Sequence, residues 1–180
     1  MRRKIAVLVC ALLLLAVAAS ALTWYLVSAP HTKSAVAGAS EQAALQKNLV
    51  LDLNRSDNKS VVDDTTSLIH GKQTGEYTFS NKQLAEYYME AGVAYANLKE
   101  YKQAATYYET APKYDSTVQT AALEGEVSAG YMAGEREQLI PALQQLVKLT
   151  KNGHDPTELS SDQYQKIIWD IQHNKPVEYL

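Results

Sequence analysis

Between Gln83 and Ser116 the apolar residues come every three or four positions, break once, and start again. Leu84, Tyr88, Ala91, Ala94/Tyr95 and Leu98 form the first series; Ala104, Tyr107/Tyr108 and Ala111 form the second. This is the period of an α-helix that buries one face, so two short helices joined by a tight turn are predicted. Ser80 is placed to cap the first helix, with Gln83 as the other half of a capping box. Pro112 falls where the second helix should end. A unit of this kind buries its core only against neighbours, so flanking helices are expected on both sides.

With Ala85 as its first residue, the stretch resembles a tetratricopeptide repeat, a helix–turn–helix unit of about 34 residues. Gly92, Tyr95, Ala104, Tyr108 and Ala111 stand at that family's signature spacing, with Tyr88 where Trp is common and Ala91 where Leu is common. Small residues at Gly92 and Ala104 would let the helices approach, and Tyr95 and Tyr108 would fill the space beside them. The segment TAALEGEVSAGYMAGEREQLIPALQQLVKL reads as a second, degenerate unit. Leu123, Gly130, Leu139, Leu143 and Leu146 take the signature positions, and Gly134 takes the turn. Its departures are Val127, Gly130 in place of an aromatic, and Pro141, which sits in a first helical turn or kinks the helix. Asn152–Pro156 marks a break, with Asp155 and Pro156 as a restart. A closing helix is predicted from Gln163 to about His173, capped by Ser160 or Ser161, with Tyr164, Ile167/Ile168 and Ile171 on one side.

At the other end, Arg2, Arg3 and Lys4 precede Ile5–Val27, 23 residues without a charge. As a helix this run is about 34 Å long, enough to cross a bilayer's hydrocarbon core. The length favours a signal anchor over a cleaved signal peptide, whose apolar region is about 7–15 residues. Trp24 and Tyr25 would sit in an interfacial belt, and the basic residues would place the body outside. Cys10 reads as an apolar residue inside the run.

Ser28–Ala39 reads as a linker, and Ser40 can cap a helix from Glu41 to about Leu53. Leu45, Leu49 and Leu53 form a row that either packs on the first repeat or pairs with another copy. Asn54–Phe79 is the least readable part. A short helix is predicted over Val61–His70, ended by Gly71. Asp63, Asp64 and His70 fit no metal-ligand spacing and read as helix-start and solvated positions.

From Ser34 onward there are 13 Lys/Arg against 20 Asp/Glu, a net charge of −7. That balance argues against a nucleic-acid partner, which calls for a dense basic surface. There is no glycine-rich phosphate loop, no HExxH, no GxSxG and no paired cysteines. No cofactor, metal or catalytic residue is expected, and the chain reads as a non-enzyme. Eight of the 12 tyrosines lie between Tyr77 and Tyr114; Tyr88, Tyr95 and Tyr108 are expected in the core, Tyr87, Tyr101 and Tyr107 nearer the surface.

The fold class is therefore all-α: a transmembrane helix, then a short antiparallel helical array with capping helices at its ends. Residues 1–4 form a cytoplasmic stub, 5–27 the anchor, 28–39 a linker, 40–79 a helix plus irregular segment, and 80–180 the repeat domain. The resemblance implies a concave groove lined by the first helix of each unit. Its candidate residues are Glu86, Met89, Val93, Ala96 and Asn97, and Ala121, Glu124, Ser128, Tyr131 and Met132 in the second unit. Glu86, Met89, Val93, Asn97 and Tyr131 are the protein-binding candidates for a protein or peptide segment, one with apolar anchors and some positive charge. The expected role is an outward-facing, membrane-anchored scaffold in envelope assembly. The alternatives are a self-associating structural envelope protein, or a hydrolase around Asp63, Asp64 and His70; a secreted form would follow from cleavage.

Overall fold

The computed structural model describes residues 35–151 and 159–177. Among them the regular structure is helical, with seven α-helices. These are α1 (Ala35–Arg55), α2 (Asn58–Thr74), α3 (Asn81–Asn97), α4 (Tyr101–Thr110), α5 (Gln119–Met132), α6 (Ile140–Lys151) and α7 (Ser161–Gln172). Short 3-10 turns lie at Ala111–Lys113, Ser116–Val118 and Arg136–Leu139. Each helix from α2 to α7 packs against the next in sequence, and the described residues from Val36 onward form one compact unit.

Local chemistry sets the boundaries. Ser80 accepts from the Gln83 N–H while Gln83 reaches back to the Ser80 N–H, so the expected capping box starts α3. Ser160 and Gln163 repeat that device at α7. Asp57 caps α2 by accepting from the Ser60 N–H. At their other ends α1, α3, α5 and α7 share one stop. Ser56, Lys99, Gly134 and Asn174 each take a positive φ, between 53° and 81°. The N–H groups of that residue and the next turn back to two carbonyls of the last turn, as in Lys99→Ala96 and Glu100→Tyr95. This is a Schellman cap, and it satisfies carbonyls the helix leaves open. The recurrence on every odd-numbered helix makes the array a series of hairpins. Only Gly134 among the four is glycine, so sequence flags one of these stops.

Two large buried clusters and a small third one fill the unit. The first gathers Leu49 from α1, Val61, Leu68 and Ile69 from α2, Tyr77, Phe79, and Leu84, Tyr87 and Tyr88 from α3. The second gathers Leu123 and Val127 from α5, Leu139, Leu143 and Leu146, and Tyr164, Ile167 and Ile171 from α7. Tyr108 of α4 forms the third with Ala104 and Ala129. A β-carbon on Gly92 of α3 or on Gly125 of α5 would stand 2.8 Å from its ring. The second hairpin inverts the sizes: Gly130 leaves room for Leu139, where the first pairs an aromatic at Tyr95 with Ala104. Pro141 is the second residue of α6 and exposed, a first-turn place that needs no N–H donor.

The middle segment is more regular than expected. α2 runs from Asn58 through the buried Gly71 to Thr74, because Gly71 makes room for the Tyr77 ring and Gly75 (φ 78°) provides the stop. α1 begins at Ala35, so Ser40 lies in a helix interior and caps nothing. α1 is held by side chains more than by close backbone approach: Leu45 and Leu49 reach the first core, and Gln42 and Gln46 reach Thr78 and Tyr87. Tyr87 is buried, against the expectation of a surface place, with its ring edge-on to Phe79 at 5.2 Å.

The membrane reading is corrected. Among the described residues no helix is long and apolar enough to cross a membrane. α1 has the length, at 21 residues, but Glu41, Lys47, Asp52 and Arg55 charge it along its course. The run 5–27 lies outside the described residues. The transmembrane helix, signal anchor, membrane partner and single-pass placement thus have no structural carrier, and the functional reading proceeds without them. The restart expected at Asp155 and Pro156 also lies outside the described residues.

Candidate protein-interaction face

α3 brings four of the five candidates together. At about 100° per residue, Glu86, Val93 and Asn97 fall within one narrow stripe and Met89 lies at its side. Glu86, Val93 and Asn97 are exposed, Val93 by 49%. Met89 is half-buried and packs against both the first core and the Tyr108 cluster. The Asn97 side-chain amide donates to Asn58 Oδ1 at 3.0 Å, so it also ties the end of α3 to the start of α2. Tyr131 stands apart from the four. It is half-buried on α5, packs against the second core and lies under the Arg136 guanidinium, 5.8 Å from its ring centre.

The stripe contains one residue that the sequence reading passed over. Glu90 lies between Glu86 and Val93 on the same face. Its Oε2 is buried and no protein hydrogen-bond donor reaches it. Burial, then the Glu86 carboxylate, pushes the Glu90 carboxyl up to about 7. Its exposed neighbour Glu86 marks the face as acidic, but only tertiary burial distinguishes Glu90 from an ordinary surface glutamate.

Along the side of this face, α1 runs in the same direction as α3. Gln42 near its start bonds Thr78 just ahead of α3, and Asn58 just after its end bonds Asn97. Between them the Gln46 amide donates to the Tyr87 hydroxyl at 2.8 Å. Past that point α1 exposes Val50 by 58% and Leu51 and Leu53 by 41% each. The expected leucine row is therefore divided: Leu45 and Leu49 pack inward and Leu53 faces solvent.

Elsewhere the polar groups serve the fold or line clefts away from this face. A cleft of about 510 Å³ is lined by Glu135, Arg136, Glu137, Gln138, Gln172 and Asn174, among others. A second, of about 270 Å³, lies between α4 and α5 and holds Lys102, Glu109, Glu126 and Glu135. There Lys102 pairs with Glu135 at 2.7 Å, and burial followed by Glu109 raises the Glu126 carboxyl, with Lys113 opposing. None of the five candidates lines either cleft. Asp63 pairs with Lys59 at 3.7 Å, and Asp63, Asp64 and His70 all ride on α2 with no other group drawn to them as a ligand set. Among the described residues no group of three His, Cys, Asp or Glu is placed to hold a metal. The central tyrosines form a packed set: Tyr88 stacks on Tyr114 at 5.4 Å, and Tyr95 meets Tyr107 at 5.1 Å. Burial pushes the Tyr88 and Tyr107 hydroxyls up to about 12.

Comparison with protein-family models, curated proteins and solved structures gives no match. The resemblance to tetratricopeptide repeats, joined to a membrane anchor, thus assigns no family; what stands is an all-α, seven-helix array among the described residues.

Proposed function

We propose that this chain is a non-enzymatic helical scaffold whose first partner is another copy of itself. The carrying observation is the group Val50, Leu51 and Leu53, three large apolar side chains exposed within two turns of the edge helix α1. Helical arrays are kept soluble by terminal helices with a polar outer face, and an apolar one favours a further layer. Leu45 and Leu49 already hold α1 on the core, which leaves the last turns free to meet a second chain. Sedimentation velocity of the full-length chain across a range of concentrations tests this. The wild type is expected to associate and the Val50→Glu/Leu51→Glu variant to stay monomeric. A wild type that remains monomeric at the highest concentration rejects the reading.

A second reading rests on the α3 stripe. Glu86, Met89, Val93 and Asn97 present a continuous face with an exposed valine at its centre, and Tyr131 stands apart from it on α5. Such a face suits a protein or peptide segment laid along the helix. Partner capture by the wild type compared with Val93→Glu tests it. A partner set unchanged by that substitution counts against it.

A further inference from the structure

α1 is tethered at one place and seated at another. It joins α2 through Ser56 and Asp57 alone. Its polar ties reach past α2. The Gln42 side chain donates to the Thr78 carbonyl at 3.2 Å and accepts from the Thr78 N–H at 3.0 Å, and Gln46 donates to the Tyr87 hydroxyl. Leu45 and Leu49 complete the seat by entering the first core. Few backbone atoms of α1 approach another helix closely, whereas α2 to α7 each pack along a neighbour. The tether is also strained: Ser56 holds φ 56°, a left-handed conformation that an L side chain disfavours. Lys99 ends α3 in the same way, but α3 is packed between α2 and α4. Only at α1 does a strained stop hold a helix with so little backbone packing.

We propose that two copies of this chain associate by exchanging α1, each seating it against Thr78 and Tyr87 of the other. This rests on the first reading above and assigns it a docking site and a hinge. Exchange keeps every contact that α1 makes, because Leu45, Leu49, Gln42 and Gln46 meet the same residues on the second copy; that is why swapping is a low-cost route to a dimer. Rotation of Ser56 out of the left-handed region swings α1 away from its own body and leaves the Asp57 cap of α2 in place. Ser56 and Asp57 are exposed, so the two backbone hydrogen bonds of the stop are replaced by bonds to water. A short hinge under strain favours this opening. Val50, Leu51 and Leu53 supply the gain. All three lie within about 9 Å of Ser56 along the helix, so exchange brings those of both copies beside the two-fold axis, where they cover one another.

Crosslinking of co-expressed full-length chains tests this. One chain carries Gln42→Cys, the other Thr78→Cys, and both carry Cys10→Ser, which removes the native thiol. Thr78 is exposed and meets Gln42 through its backbone, and Gln46, Leu45 and Leu49 still hold α1 when Gln42 is replaced. A short bis-maleimide is expected to join the two chains, because α1 of one lies against Thr78 of the other. Both substitutions in a single chain should link whichever copy α1 belongs to, which shows that the positions are within reach. Gln42→Cys with Glu137→Cys, exposed on the 3-10 turn before α6, should not link. Ser56→Gly frees the closed turn of strain at both hinges and should raise the dimer's Kd by about tenfold or more. If sedimentation shows a dimer but the mixed chains do not link, exchange is overturned and pairing side by side through Val50 and Leu51 remains. A Kd unchanged by Ser56→Gly overturns the hinge. A chain that stays monomeric at the highest concentration rejects both exchange and the first reading.

Discussion

A side chain on Gly125 would need the space that Tyr108 occupies: a β-carbon there would lie 2.8 Å from the ring atoms Cδ1 and Cε1. The ring meets Gly92 of α3 in the same way, so one tyrosine sets how closely α4 approaches the helices on both sides. Gly125→Ala is expected to destabilise by about 1–3 kcal/mol, because overpacking against a rigid ring outweighs the ~1 kcal/mol that alanine gains in a helix. Gly130→Ala meets only the far end of Leu139, at Cδ2, and should cost less. Thermal melts of the two variants side by side check the order; equal losses would contradict it.

Glu90 gives a pH dependence with a definite sign. Its folded pKa is raised from 4.5 to about 7, so the folded state holds the proton more tightly than the unfolded chain. The resulting stabilisation is fully present below 4.5 and is lost as pH rises through about 7. Glu90→Gln should therefore match the wild type in Tm near pH 4.5 and exceed it at pH 8. A gain that is the same at both pH values would show that the carboxylate's charge is not the cause.

The attachment of α1 turns on Leu49, which is buried to 3% exposure in the first core. Leu49→Ala is expected to cost about 2–5 kcal/mol. Few backbone atoms of α1 approach other helices closely, so the loss should be local as well as global. Hydrogen exchange should rise most in α1 and least in α6. Uniform acceleration would mean that α1 and the remaining helices open as one unit.

The four shared helix stops predict opposite effects of glycine. Lys99 (φ 63°) and Asn174 (φ 53°) hold a left-handed conformation that glycine adopts without a side-chain clash. Lys99→Gly should raise stability by up to about 1 kcal/mol. Gly134 (φ 81°) has open space around it, so Gly134→Ala should lose about 1–2 kcal/mol through backbone strain alone. Denaturant midpoints measure both.

Much of the helical order was legible in the residues. Leu84, Tyr88 and Ala91 declare a buried face by their spacing, and Ser80 with Gln83 declares where it starts, because helix period and capping depend on neighbours in sequence. The helix that carries the stripe could be found this way, whereas Glu86, Val93 and Asn97 were singled out only by the resemblance to the repeat family. Other assignments depended on contacts that sequence does not display. Gly71 looked like a helix end and is a recess for Tyr77; Tyr87 looked like a surface residue and is in the core. The stops at Ser56, Lys99 and Asn174 have no glycine to announce them.

Sequence by itself determined the helices whose period and caps coincide, the pair after Ser80 and the one after Ser160, since apolar period, caps and turn residues act over a few positions. Tertiary structure decided which apolar residues were used up. It turned Leu45 and Leu49 inward and left Val50, Leu51 and Leu53 outside, and it buried one carboxylate oxygen of Glu90 while leaving Glu86 in solvent. The reason is that exposure is a property of neighbouring helices: the same residue on the same helix is solvated or desolvated according to what packs beside it.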